Sequence, residues 1–577
     1  MYLLINQNKK MKMRFLNSNI KMMGLIALII GSITSCKQDD DLSINATGVK
    51  PNIAFVGLTN TNTVSTGGQL IRYNANNTNQ LVGAAVSITG LITGESILAI
   101  DYRPATGILY GVSSQSRLYI LNPITGVAKA VNATAFTPAI SGGIAGFDFN
   151  PTVDRIRLVT KSGQNLRLNP EDGTVVATDG NINGGTNAVL GEVAYTNNTS
   201  GVTTTELFDV DFNSGNLYKQ DANVGTLTLI GSLGVPTIPV ALSTYSAAYN
   251  ANITNNRPGG FDIAPTGEAL VVFNNASVPA IPVGGIVTGP PANPSSAVNA
   301  VAGTPTLFQI DLTTGKATDL GLIPFPTPNN GVAATSLIGI AIAPAPVAYA
   351  VNETNGLMIF NLTKPEPITK PITGLQTGEN IVGLDFRPLN GQLYALGSTS
   401  RIYTINPSSG VATAVTPLPL IPLLSGTNFG FDFNPTADAI RITSNTGQNL
   451  RYAVATGVNT ADVAISGGDV EQTAAAYSYN SYPTTTSTTL YTINVKTDSL
   501  YRLATPNDGK LTRIGKLRVN ADASNGFDIG AVSGVGYAIL TTGITTKIYT
   551  INLSLGSATE VGVFPVKVRA FTVGLGF

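Results

Sequence analysis

Beyond about residue 50 the chain alternates apolar and polar residues in short runs, and Gly, Pro, Asn or Asp interrupts the runs every few positions. Arg117-Leu-Tyr-Ile-Leu-Asn-Pro-Ile-Thr-Gly-Val is one such unit. Thr306-Leu-Phe-Gln-Ile-Asp-Leu-Thr-Thr-Gly-Lys, Arg401-Ile-Tyr-Thr-Ile-Asn-Pro-Ser-Ser-Gly-Val and Lys547-Ile-Tyr-Thr-Ile-Asn-Leu-Ser-Leu-Gly-Ser are others. A period of two marks half-buried strands, and Asn or Asp followed by Gly supplies turn chemistry. Five hairpins fall near residues 71, 117, 165, 206 and 306, and five more near 357, 401, 449, 489 and 547. Each unit has the length of a propeller blade, roughly 40 to 50 residues.

The two sets of five are copies of each other. Thr93-Gly-Glu-Ser-Ile-Leu-Ala-Ile-Asp101-Tyr-Arg103-Pro matches Thr377-Gly-Glu-Asn-Ile-Val-Gly-Leu-Asp385-Phe-Arg387-Pro, a shift of 385 − 101 = 284. The same shift carries Phe147-Asp148-Phe149-Asn150-Pro151-Thr152 onto Phe431-Asp432-Phe433-Asn434-Pro435-Thr436, and Gly163 to Arg167 onto Gly447 to Arg451. Later it shrinks, Asp262 pairing with Asp528, so the first copy carries insertions; Ser277 to Pro305 reads as a loop. The chain ends at Val573-Gly-Leu-Gly-Phe577, which reads as the first strand of a blade with nothing after it. Its edge needs a partner near the start of a ring. Ile338 to Ile342 is the matching stretch in the first copy. Residues 333–351 are uncharged, but Gly339, Pro344 and Pro346 argue against a membrane helix.

The expected fold is all-β and propeller-like, in two tandem copies of about five four-stranded blades each, with one ten-bladed ring as the alternative. The expected organisation is a lipoprotein signal peptide at 1–35, a flexible acidic tether at 36–50, a first copy at 51–345 and a second at 346–577.

Composition narrows the chemistry. Lys+Arg and Asp+Glu are both 33, which leaves no electrostatic footprint for nucleic acid. The chain has no histidine, which removes Ser-His-Asp chemistry and His-metal hydrolysis. It has no tryptophan either, so any stacking falls to Tyr and Phe.

At the amino end Lys9, Lys10, Lys12, Arg14 and Lys21 precede the short apolar run Met22 to Ile30 and the only cysteine, Cys36. This is a signal-peptide layout, too short to span a bilayer, which takes about 20 residues. Ile33-Thr34-Ser35-Cys36 resembles a bacterial lipobox, which implies lipidation of Cys36 and membrane anchoring through acyl chains. Lys37-Gln38-Asp39-Asp40-Asp41 reads as a solvated tether, and also resembles the acidic export signal of Bacteroidetes-type surface lipoproteins. That resemblance implies an outer-membrane lipoprotein facing outward.

GESILAIDYRPATGILYGV, GFDFNPTVDRIRLVTKSGQNLRLNP and TLFQIDLTTGKATDLG, with their second-copy partners, resemble the bacterial DUF4394 domain over about 51 to 577. The resemblance implies a propeller-like fold and carries no activity with it.

Two sets of residues stand out for a site. Asp101, Asp148, Asp262, Asp385, Asp432 and Asp528 share one repeat position, at the end of the innermost strand. They read either as carboxylates accepting backbone N–H groups or as oxygens converging on an axial Ca²⁺. Arg103, Arg157, Arg167, Arg387, Arg441 and Arg451 recur at matching places, either bridging to those aspartates or capping turns, or else forming an anion pocket of convergent guanidinium groups. Gln164, Asn165, Gln448 and Asn449 read as turn residues or ligand-facing amides. Glu95, Glu379 and Glu192 are the carboxylates a glycosidase-like surface hydrolase would need. The leading expectation is a non-enzymatic binding or adhesion scaffold at the cell surface. The rivals are that hydrolase or lyase and a structural envelope component.

Overall fold

Turn chemistry sets the local structure. Asn122 Oδ1 accepts the N–H groups of Ile124 and Thr125, and Gly126 closes the turn at φ 74° by donating its N–H to the Asn122 carbonyl. The same bonds form at Asn406 with Gly410 and at Asn552 with Gly556. A side chain that mimics a backbone turn, followed by a left-handed residue, folds one strand back on the previous one.

In the computed structural model residues 50–577 are described, apart from 60–66, 186–189, 213, 236–258, 275–304, 325–335, 480–481 and 524. The signal peptide, Cys36 and nearly all of the tether lie outside the described residues, as does the loop expected at Ser277 to Pro305 except for its last residue. The described strands form ten four-stranded antiparallel sheets. In ring one the innermost strands of blades 1 to 5 are Leu337–Ile342, Ile97–Tyr102, Ile144–Asn150, Leu190–Tyr195 and Gly260–Ile263. In ring two those of blades 6 to 10 are Val568–Val573, Ile381–Arg387, Phe429–Asn434, Gln472–Tyr477 and Gly526–Ile529.

Each ring closes by pairing a late strand with an early one. Leu337–Ile342 pairs with Ala54–Thr59, and Val568–Val573 pairs with Val347–Asn352. The innermost strands then pack side by side, blade 5 against blade 1 and blade 10 against blade 6. The ten-bladed alternative is therefore set aside, because the last strand seals blade 6 rather than the sheet that begins at Ala54. The closing strand also lies earlier than the sequence reading put it. The strand ends at Val573; Gly574 still donates to Val347 O at the head of the partner strand, and Gly576 donates to Thr106 O in a ring-one turn. Residues 337–342, within the uncharged stretch, are strand, and no described helix is long and apolar enough to cross a membrane.

Close packing of innermost strands demands glycine at set places. A Cβ on Gly146 would sit 2.7 Å from the Val193 nitrogen of the next blade, and one on its counterpart Gly430 2.7 Å from the Ala475 nitrogen. No side chain fits at such distances.

The rings share one core. A single apolar cluster holds Tyr110, Phe147 and Phe149 of ring one with Tyr349, Phe386 and Leu393 of ring two. Polar contacts pin it: Tyr349 O–H bonds Ala105 O at 2.9 Å, and Asn122 Nδ2 bonds Tyr482 O at 2.6 Å. Arg103 is the most enclosed of these links. Its guanidinium is fully buried, pairs with Asp154 and Glu171, and donates Nη1–H to the Gly391 carbonyl of ring two at 2.8 Å.

Arg103→Met is expected to destabilise the protein by about 3–5 kcal/mol in urea unfolding, because it strands the buried Asp154 carboxylate. The less buried counterpart pair Arg387–Asp438 is expected to cost less than half as much when broken in the same way, and equal losses would show that Arg103 carries no special burden.

Candidate functional site

Near the axis of each ring, three aspartates point at the following blade. Asp101, Asp148 and Asp262 accept the backbone N–H of Phe149, Tyr195 and Ile342 at 2.9, 3.1 and 2.6 Å. Asp385, Asp432 and Asp528 do the same to Phe433, Tyr477 and Val573 at 2.7, 2.9 and 2.7 Å. In every case the acceptor lies on one innermost strand and the donor sits one residue past the equivalent position on the next. Four of the six also accept the N–H that follows them in their own strand. The carboxylates thus stitch neighbouring blades where strands run too close for other side chains.

The three carboxylates of each ring also converge, each offering an oxygen within 4.8 Å of the other two. All six are buried. Burial first, and the neighbouring carboxylates second, raise Asp101, Asp148, Asp385 and Asp432 above the ordinary carboxylate range. Burial lifts Asp262 to about 7 and Asp528 to about 6 against the pull of their backbone bonds.

The rings differ at this layer. Aligned with the aspartates, ring one has Ala194 and Ala341, whereas ring two has Ala476 and Thr572. The Thr572 hydroxyl lies 3.0 Å from Asp385 Oδ1 and 2.9 Å from Asp528 Oδ2. One hydroxyl proton serves one acceptor, so the second contact is a hydrogen bond only when that carboxyl is itself protonated. Thr572 went unnoticed in the sequence because it sits on the closing strand, far from its aligned neighbours; the alignment of Phe571-Thr572-Val573 with Ile340-Ala341-Ile342 would have exposed it.

The arginines do not bridge to the axial aspartates. Arg103 and Arg387 each lie two residues beyond an axial aspartate, Arg103 just past its strand and Arg387 at the last position of its own. They therefore reach the first turn of the next blade, at Asp154 and Asp438. Arg157 and Arg167 both pair with Asp179, and Arg441 and Arg451 both with Asp462. Of the six, Arg441 and Arg451 line one cavity together, both already paired with Asp462. The true partners of Arg103 and Arg387 were legible in principle, since Asp154 and Asp438 also recur at the 284 shift.

The remaining candidates hold loops. Gln164 and Gln448 bond the backbone of residues 139–141 and 423–425. Asn165 and Asn449 accept from Arg157 and Arg441 and donate to two carbonyls each. Glu95 is buried against Arg117 and Tyr119, and Glu379 against Thr399 and Tyr403. The two belong to blades of different rings, and each already has its oxygens engaged. Glu192 alone of the three reaches an axis.

Open space lies elsewhere, at one equivalent place in both rings. In ring one a cavity of about 660 Å³ between blades 3 and 4 is lined by Asn150, Tyr195, Gln220 and the loop at 221–226. In ring two one of about 460 Å³ between blades 8 and 9 is lined by Asn434, Tyr477, Arg441, Arg451 and residues 504–508. Behind the first, Asp209 is buried with neither carboxylate oxygen hydrogen-bonded, and both amide atoms of Gln220 lack partners.

The model of a domain of unknown function, DUF4394, matches residues 69–341 and again 356–573. No curated protein matches the chain. Among solved structures, PorZ of Porphyromonas gingivalis, an essential bacterial surface component of the type-IX secretion system, is similar at 11% identity and a TM-score of 0.23. The match covers 90% of this chain and 60% of that one, so the chain spans about three-fifths of PorZ's length.

The raised carboxyls set a pH dependence. Between the unfolded value near 3.9 and the folded value of about 6 for Asp528, the native state holds the extra proton, so this contribution is full below about pH 4 and is lost as pH rises through 6. Thermal unfolding in chelator is expected to give a higher Tm at about pH 5 than at about pH 8, with Asp528→Asn narrowing the gap. An unchanged gap in the variant would remove Asp528 from the account.

Proposed function

The chain belongs to the DUF4394 family, of unknown function, and on that footing we propose that it is an exported, lipid-anchored, non-enzymatic binding scaffold facing outward from the outer membrane. The carrying observation is the paired cavities: two open spaces with mixed polar and apolar walls recur at one position of both rings. The carboxylates and arginines that a propeller-mouth hydrolase would use are meanwhile engaged in blade and loop bonds. A rigid frame with repeated recesses suits recognition, since little ordering cost accompanies binding. Two sites on one chain add avidity for a repetitive polar ligand such as a glycan or a multivalent peptide.

The anchor follows from Cys36 and the basic and apolar segments before it. Several acyl chains on that residue supply a stable hold, because each buried CH₂ contributes about 0.8 kcal/mol. Asp39, Asp40 and Asp41 support the outward orientation, and residues 36–50 would act as the spacer between lipid and ring one.

Two measurements test this. Protease shaving of intact cells is expected to remove the protein, and Cys36→Ser to release it from the membrane fraction; protection from protease would overturn the outward placement. Glycan and peptide arrays probed with the mature chain are expected to yield a ligand whose binding falls when Thr226→Trp and Thr505→Trp fill the two cavities, both positions being exposed. Binding that ignores both substitutions, or turnover of the bound ligand, would overturn the scaffold reading.

A further inference from the structure

Glu192 is the one axial acid without a structural task. It is 6% exposed, and it makes no hydrogen bond or ion pair among the described residues. Although it springs from blade 4, its Oε1 lies across the axis beside Gly339 of blade 1, 3.7 Å from where a Cβ on that glycine would stand. The charges that act on it most strongly are Asp262 and Asp101. Its carboxylate therefore reaches the axis at the level of Gly339, next to the layer where the ring-one aspartates converge and outside their group of three oxygens.

We propose that the axis of ring one is a binding site for a single hard divalent cation of the calcium class, held by Asp101, Asp148 and Asp262 with Glu192 beside them completing the shell through water, and that the axis of ring two is not. The geometry fits the ion. Calcium takes oxygen ligands at about 2.3–2.6 Å, so three ligand atoms around one ion stand up to about 5 Å apart, and those of the ring-one aspartates lie within 4.8 Å of one another. The backbone bonds already described fix the carboxylates in place and use only part of their lone-pair capacity; Asp148 engages just Oδ1. Burying three converging carboxylates beside a fourth is costly, Lys161 being the one cation whose charge acts on Glu192, and a divalent ion lowers that cost.

Ring two has the same three aspartates but a different filling. The position of Glu192 is occupied by Ala474, and that of Ala341 by Thr572, whose hydroxyl stands between Asp385 and Asp528. Tyr479 adds a partly buried phenol that feels all three carboxylates. Fewer charges and a hydroxyl among the ligand atoms favour protons over a metal there.

The experiment is calcium titration of the chelator-stripped mature chain by calorimetry, with Tm measured alongside. One equivalent is expected per chain, with a rise in Tm by mass action. Glu192→Gln breaks no contact, so it separates ligation from folding: calcium affinity is expected to fall about tenfold or more as ligand charge is lost, while Tm in chelator stays equal or rises as a like charge is removed. Asp528→Asn is expected to leave affinity within about twofold. Absence of binding at about ten times the 1 mM typical of weak extracellular sites overturns the proposal. So does unchanged affinity in Glu192→Gln, or a second equivalent that disappears in Asp528→Asn.

Discussion

A carboxylate on one innermost strand accepting a backbone N–H from the next is the contact on which both rings depend. Neighbouring innermost strands come so close that a Cβ at Gly146 or Gly430 would meet backbone. At that range the strands face each other without forming a shared ladder, and some N–H groups would be buried unpaired. Aspartate is short enough to reach across and strong enough as an acceptor to satisfy them. The result is also the liability of the fold: a short acid at the same height on several strands gathers negative charge around a narrow axis.

The two rings fill that axis differently. Ring two places the Thr572 hydroxyl between two of the acids, whereas ring one adds a fourth acid beside its three. Duplication has thus preserved the stitching, which folding demands, and let the filling of the axis diverge. The same division holds one residue pair further out. Asp101 and Arg103 are matched by Asp385 and Arg387 in their bonds to the next blade, yet only Arg103 also spans to the other ring. The contact with Gly391, the shared apolar cluster and the C-terminal tail laid on Thr106 tie the two propellers into one body rather than two beads.

Much of this was legible in one sequence because it is local or periodic. The period-two runs, the Asn-x-x-x-Gly turns and the 284-residue shift specify strands, hairpins and copy number without reference to distant contacts. The position of the axial aspartates was readable for the same reason. Their partners were not, since an acceptor's donor lies about 45 to 80 residues away on another blade, and Thr572 is joined to its layer only by ring closure. The arginines show the limit most clearly: Arg103 and Asp101 are two residues apart, yet the end of the strand sends one to a turn and the other to a backbone.

The amino-acid order by itself therefore determined the element type, the turns and the duplication, all of which depend on near neighbours and composition. Tertiary structure decided that the rings close at five, that Asp154, Asp179, Asp438 and Asp462 neutralise the arginines, and that Glu192 crosses an axis with no partner. Closure and pairing across blades depend on which strand ends meet in space, and period-two patterning is identical for a ring of five and a ring of ten.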